Sequence, residues 1–362
     1  MAERVYLRPT GFVDAPFGLD GKVERLAGGL LWFAAVEVTV MDGRTRVSSD
    51  LVPVTGIEHV LSGLPDHARG AWSSLTAPRP PLTLGQRVVR LDQPQVVGIV
   101  NATPDSFSDG GAYADAEAAA DAGHAMAAAG AAVIDVGGES TRPGAQPVWE
   151  GDEVKRVVPV VERLARSGTA VSIDTRKAAV MEAALGAGAA LVNDVSGLTW
   201  DDRAAAIVAR AGCPVVLMHH QGSPETMQQS PAYERPVLFE VYDWLQARIE
   251  AAVAAGIERA KIVIDPGIGF GKTVQHNLQV LNGLALLHGL GCPMMLGASR
   301  KRMIGALASE APPDQRLPGS LALALKGADQ GVQLLRVHDV PETVQALRVW
   351  RGLRDAALTP QL

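Results

Sequence analysis

The chain has 362 residues, a formal net charge of −6 and a 47% hydrophobic content, with 38 Gly and 23 Pro dispersed along it. That profile excludes a disordered or collagen-like chain and sets an expectation of two globular domains, while the negative balance argues against a nucleic-acid or anionic-membrane partner. Met1-Ala2-Glu3-Arg4 opens without the apolar core of a signal peptide and no apolar run reaches membrane-spanning length, so a cytoplasmic protein is expected.

In chain order, Leu31 to Met41 is rich in apolar and aromatic residues, Asp42-Gly43 is a hairpin turn signal, and Arg44 to Val54 reads as the returning strand. Residues 1–80 are therefore expected to form a small α+β or mainly β domain. Its His59 and His67 have no Cys or second His at metal spacing and read as surface residues. A stiff spacer is expected at Thr76-Ala77-Pro78-Arg79-Pro80-Pro81, because three prolines in four positions suit neither a helix nor a central strand.

Beyond it, short apolar runs alternate with Ala-rich amphipathic segments, as in βα units of a parallel sheet. The runs are Val96–Val100, Ala132–Val136, Ala170–Ile173, Ala190–Val192, Pro214–Met218, Lys261–Ile264, Pro293–Leu296 and Val332–Val337. Helices such as Ala114–Ala129, Ala204–Ala211 and Phe239–Ala255 separate them. Eight repeats in roughly 265 residues predict an α/β fold in which residues 82–362 form a (β/α)8 TIM barrel. At or just past the run ends stand Asn101, Asp135, Asp174, Asn193, His219, Asp265, Ser299 and the pair Arg336 and His338. A single Asp there reads equally well as a turn former, but eight polar residues in eight units describe the C-terminal rim where barrels build active sites. Cys213 and Cys292 each begin a run within a Gly-Cys-Pro triplet, which puts them at the opposite end as plain buried thiols.

Three segments add chemistry to that rim. Asn101–Gly111 is too long and polar for a tight βα connection and reads as a binding loop. Gly137–Gly144 offers permissive backbone, hydroxyls and the guanidinium of Arg142. Ser299-Arg300-Lys301-Arg302 puts three cations beside the eighth strand, where barrels often hold phosphate, and so supplies local positive charge for an anionic substrate. Gly267–Thr273 mimics a nucleotide-phosphate loop but fails on spacing, since Pro266 occupies the place of the first glycine. His219 and His220 are no metal pair, because neighbours in a strand point to opposite faces.

These residues carry a resemblance to the dihydropteroate synthase family. The matching blocks are Asn101–Gly111, Ile134–Gly144 (IDVGGESTRPG), Ser172–Arg176 (SIDTR), Val192–Gly197 (VNDVSG), Leu217–Gln228 (LMHHQGSPETMQ), Ile264–Lys272 (IDPGIGFGK), Gly297–Gly305 (GASRKRMIG) and Arg336–Val340 (RVHDV), in the family's order. Coverage runs from about Leu82 to Leu362. The resemblance implies condensation of 6-hydroxymethyl-7,8-dihydropterin pyrophosphate with p-aminobenzoate, with Mg2+ accompanying the pyrophosphate and a homodimeric assembly. Ala102, His220, Ser223 and Arg302 depart from residues common in the family, and none is a ligand that the resemblance implies. A folate-dependent methyltransferase barrel, or a non-catalytic pterin-binding paralogue, is the competing reading, and the anion site at Ser299–Arg302 and Arg336–His338 speaks against the first.

By the same resemblance, Asp135, Asp174, Asn193, Asp265 and Lys301 meet the aminopyrimidinone edge of the pterin, with Met218 and Arg336 over its ring faces. This agrees with the chemistry of that edge, whose adjacent donors and carbonyl call for carboxylates, an amide and a cation. Asn101, Arg336 and His338 would hold the pyrophosphate, Asn101 also being the protein ligand of Mg2+. Thr141, Arg142, Pro143, Phe270, Ser299 and Lys301 would form the p-aminobenzoate pocket, completed after the pterin pyrophosphate binds. His219 receives no catalytic role.

Overall fold

The computed structural model describes residues 3–102, 111–140, 147–222, 227 and 229–359. Eight parallel strands, Gln95–Asn101, Val133–Gly137, Val171–Asp174, Leu191–Asp194, Val215–Met218, Ile262–Asp265, Met295–Leu296 and Leu334–Val337, pair in chain order, and the eighth returns to the first. A parallel bridge between Ile264 and Met294 joins the sixth strand to the seventh and closes the (β/α)8 barrel. The expected runs thus all become strands, and helices Gly111–Ala129, Ala204–Ala211 and Val237–Ala254 lie where the amphipathic segments are.

Period-two alternation sorts every strand into layers. Val97, Val133, Leu191, Val216, Val263, Met295 and Leu334 form one apolar cluster inside the barrel. Two residues further along the same strands come Ile99, Asp135, Asn193, Met218, Asp265, Gly297 and Arg336. The interior therefore changes from a sealed apolar layer to a polar one within a single pleat repeat. A hairpin of Leu82–Leu84 and Arg87–Val89 plugs the apolar end, with Leu82, Leu84, Val89 and Leu91 joining that cluster. Cys213 and Cys292 lie buried near the same end as free thiols.

The N-terminal module is α+β. Strands Arg4–Val13, Trp32–Asp42 and Thr45–Pro53 pair antiparallel with Trp32–Asp42 in the middle, Glu24–Arg25 adds a short bridge, and helices Ile57–Ser62 and Asp66–Thr76 follow. Leu7, Phe33, Val36, Leu61 and Leu75 belong to a core of its own. His67 is exposed, yet its Nε2 accepts the Val5 N–H at 3.0 Å and so ties helix to sheet.

The proline-rich segment is a packed seam. Arg79 is buried and donates from Nη2 to His288 O at 2.8 Å, and a Cβ on Gly28 would collide with Pro78. Tyr6 stacks on Phe239 of the barrel helix Val237–Ala254 with centroids 4.2 Å apart, and Arg354 of the last helix donates to Leu30 O and Val13 O at 3.2 and 3.3 Å. Among the described residues no helix is long and apolar enough to cross a membrane.

Candidate active site

A cavity of about 500 Å³ opens at the C-terminal end of the barrel. Asn101, Asp174, Phe270, Ser299, Lys301, Arg336 and His338 line it, bringing to one space the expected pyrophosphate residues and, of the expected acceptor residues, Phe270, Ser299 and Lys301. Asp135, Asn193, Met218 and Asp265 are buried in the polar layer just beneath. Thr141, Arg142 and Pro143, with most of the loop after Asn101, lie outside the described residues.

Arg336 organises the floor. Its Nε donates to Asp135 Oδ2 and its Nη2 to Asp174 Oδ2, each at 2.6 Å, while Asn193 Nδ2 donates to the same Asp135 oxygen at 3.0 Å. Arg336, expected over a ring face, is thus bonded within the carboxylate cluster. Burial alone would weaken its charge, but Asp135 and Asp174 outweigh burial and hold the guanidinium firmly protonated. The other oxygens, Asp135 Oδ1 and Asp174 Oδ1, are buried with no hydrogen-bond partner among the described residues. A carboxylate oxygen left so is costly unless a ligand donor reaches it. Burial pushes Asp174 up to about 7, against the pull of Arg336 and aided by Asp135. Asp265 is raised for the same reason, opposed by the Gly267 N–H that Oδ1 accepts at 2.7 Å and by Lys301.

Asn193 and its neighbour Asp194 divide by pleat. Asn193 faces the barrel interior, whereas Asp194 is buried on the other side, accepting from Ser196 N at 2.7 Å, Ser196 Oγ at 2.6 Å and Leu198 N at 3.1 Å. It is a turn former, with burial raising its carboxyl to about 6.

On the other wall, Lys301 Nζ lies 4.2 Å from the centroid of the Phe270 ring. Ser299 Oγ and His338 Nδ1 are 3.1 Å apart. Arg300 lines the cavity but is less available than the sequence suggests, since its guanidinium pairs with Asp339.

Two buried networks were not visible in the sequence. Lys272 lines the cavity yet is only 2% exposed, and its Nζ reaches His219 Nδ1 at 2.8 Å, Gly267 O at 3.0 Å and Phe270 O at 3.2 Å. His219 therefore points out of the barrel, held neutral by burial and by Lys272. Gly267 closes the contact, because its φ is 66° and a Cβ there would strike His219 O. Glu139 and Lys177 clasp the second loop. Glu139 Oε1 accepts from Val148 N at 2.9 Å and from Lys177 Nζ at 3.0 Å, and Lys177 also reaches Val148 O at 2.7 Å and Glu153 Oε2 at 2.5 Å. Glu139 was legible only as part of a matching block, and Glu153 gave no signal because it stands in the first turn of helix Glu150–Arg166, where acidic residues are ordinary.

Comparison with known proteins agrees with this geometry. Residues 97–338 match the family described as pterin binding enzyme. The chain is similar to the dihydropteroate synthase of Escherichia coli (strain K12), with 46% identity over 260 residues, 72% of this chain and 91% of that one. It is 49% identical over 261 residues to that of Mycobacterium leprae (strain TN), covering 70% and 92%. Among solved structures, the Xanthomonas albilineans dihydropteroate synthase with 4-aminobenzoic acid superposes with a TM-score of 0.72 at 46% identity, covering 78% of this chain and 100% of that one. The Yersinia pestis enzyme in a sulfonamide drug complex gives a TM-score of 0.72 at 47% identity, covering 76% and 99%. With its barrel, its carboxylate floor and this degree of identity, the chain belongs to the dihydropteroate synthase family.

Proposed function

We propose that this chain condenses 6-hydroxymethyl-7,8-dihydropterin pyrophosphate with p-aminobenzoate, giving 7,8-dihydropteroate and pyrophosphate. The observation that carries the reading is the pair of buried oxygens, Asp135 Oδ1 and Asp174 Oδ1, without a partner among the described residues, beneath a cavity walled by Lys301, Ser299 and His338. Relatives point the same way, since one solved Xanthomonas albilineans dihydropteroate synthase is in complex with 7,8-dihydropteroate.

In this proposal the adjacent N–H donors of the pterin satisfy Asp135, Asp174 and Asp265, Asn193 contributes its amide, Lys301 meets the ring carbonyl, and Met218 packs on a face. Arg336 holds Asp135 and Asp174 together through its Nε and Nη2 bonds while its remaining N–H groups face the pyrophosphate with Asn101 and His338. An analogue without those ring donors would leave carboxylates unpaired and be rejected. The acceptor lies along Phe270, Lys301 and Ser299, with Thr141, Arg142 and Pro143 from the second loop completing its pocket.

The chemistry is displacement at a methylene carbon. The neutral arylamine lone pair forms the new C–N bond, the C–O bond to pyrophosphate breaks, and the attacking nitrogen loses a proton. No strong base is needed. The site's work is to align the two reactants and to stabilise charge on the leaving group. Among the described residues no three His, Cys, Asp or Glu side chains gather as a metal cluster, so Mg2+ would rest on the Asn101 carbonyl oxygen and on substrate oxygens. Bound there, it would neutralise the departing pyrophosphate. The resemblance also implies a homodimer.

The test is pyrophosphate release from pterin pyrophosphate and p-aminobenzoate in the presence of Mg2+. Turnover that requires both substrates is the expected result, and no release at saturating concentrations overturns the reading.

A further inference from the structure

The N-terminal module lies outside the residues that match the family; it packs most extensively on Leu284–Leu290, and a separate set of its polar and aromatic contacts falls on one stretch that leads toward the site. Tyr6 stacks on Phe239 and donates its hydroxyl to Asp243 Oδ2 at 2.8 Å. Arg4 reaches the other oxygen of Asp243 at 2.6 Å. Arg235 bridges back, with Nη1 at 2.8 Å from Asp243 Oδ2 and at 3.4 Å from the Tyr6 hydroxyl. On the near side, Arg44 of the module's hairpin pairs with Glu234. The module therefore holds the chain at positions 234, 235, 239 and 243.

Between that anchor and the cavity stands Tyr233. Its hydroxyl donates to Gly271 O at 2.8 Å. Gly271 is the residue between Phe270, whose ring faces Lys301 at 4.2 Å, and the buried Lys272. It has no slack, because its φ is 64° and a Cβ would strike Gln221 O. Gln221 in turn donates to Ala232 O at 2.9 Å, so both loops over this wall are tied to the chain at positions 232 and 233. A chain of partly buried contacts, continued by the backbone from Arg235 to Tyr233, thus runs from module to acceptor wall.

We propose that the N-terminal module is a positioning element of the active site, acting through Tyr6 and Tyr233 on the loop that carries Phe270. The inference rests on the synthase reading above, in which Phe270 borders p-aminobenzoate. Displacement needs the amine and the methylene carbon aligned, and a wall that drifts weakens the acceptor's placement while leaving the pterin floor intact. Tyr6 carries most of the effect. The Arg44 and Glu234 side chains are 66% and 69% exposed, and such pairs hold little.

The experiment uses the full chain with Tyr233→Phe, Tyr6→Phe and the double variant, both substitutions preserving the ring. Each single variant is expected to raise the KM for p-aminobenzoate about three- to tenfold, the range of one lost hydrogen bond. The kcat and the KM for pterin pyrophosphate should stay within about twofold of the parent. Because the two tyrosines act in series, the double variant should match the stronger single one. Asp243→Asn, which weakens the same anchor from the barrel side, should shift the acceptor KM in the same direction. Amide exchange across residues 267–273 should quicken in Tyr6→Phe without substrate present. A fall in Tm with unchanged acceptor KM and unchanged exchange overturns the inference and leaves the module a packing element. An inert parent chain overturns the synthase reading and this inference with it, whereas an active parent with unmoved variants overturns this inference alone.

Discussion

Arg336 donates from Nη2 to Asp174 Oδ2 at 2.6 Å, and this bond joins the eighth strand to the third across the barrel mouth. With the bond from Nε to Asp135, one guanidinium bridges two buried carboxyl groups. Arg336→Met would leave both without their cation, and breaking a buried pair from one side costs about 3–5 kcal/mol. Urea unfolding should show a loss of that size, with no measurable product formation. Adding Asp174→Asn should recover part of the stability and none of the activity. A single variant as stable as the parent would mean that the two carboxylates do not depend on Arg336.

The barrel and its polar layer were legible because a closed parallel sheet buries both faces of each strand, leaving continuous apolar runs whose first polar residue marks the rim. Asp135, Asn193, Asp265 and Arg336 each follow an interior apolar residue by two positions, a pattern that sequence alone displays. Which of two adjacent polar residues faces inward was less legible. Asn193 and Asp194 look equivalent until the pleat separates them, and His219 ends its run like the others but points outward to Lys272. The Leu82–Val89 plug, the Glu153 contact and the anchoring of Tyr6 at Asp243 join residues far apart in sequence, and no local pattern encodes such pairings.

Lys272 offers a second test. Its three acceptors, His219 Nδ1, Gly267 O and Phe270 O, are all in the wall behind the cavity. Lys272→Met preserves most of the packed stem but leaves His219 Nδ1 and Phe270 O without this donor, while Gly267 O keeps the Phe270 N–H at 3.1 Å, a cost of about 1–3 kcal/mol. Thermal unfolding should report the loss. The variant should also bind p-aminobenzoate more weakly, as titration calorimetry with the pterin site saturated would show. Unchanged stability and affinity would make Lys272 a bystander.

Lys177 is the cation between Glu139 and Glu153, and Glu153 is fully buried. Thr175 Oγ1 donates to Glu153 Oε1 at 2.7 Å, so after Lys177→Met the Glu153 carboxylate would keep a hydroxyl but lose its charge partner. The expected result is destabilisation of about 3–5 kcal/mol, partly reversed by adding Glu153→Gln. Because Lys177 also bonds Val148 O beyond the second loop, the single variant should show faster amide exchange at residues 147–149. A double variant no more stable than the single one would show that the buried charge is not the cause.

His288 gives the seam between module and barrel its own pH dependence. It is fully buried, its Nε2 lies 2.9 Å from Gln330 O, and its Nδ1 has no partner among the described residues. Burial, reinforced by Arg79, lowers it to about 3 from an ordinary 6.5. Between those values the unfolded chain binds a proton that the folded chain refuses, so this residue's contribution to stability falls as pH drops below about 6.5 and continues to fall toward about 3. The slope from one such group is about 1.4 kcal/mol per pH unit. His288→Gln keeps a donor for Gln330 O and cannot titrate, so it should cost stability at pH 7.5 and close that gap as the pH is lowered to 5. Urea midpoints of parent and variant at the two pH values decide it. Parallel pH profiles would place the acid sensitivity elsewhere, with His219 as the next residue to replace, since it too is held below its ordinary value by burial.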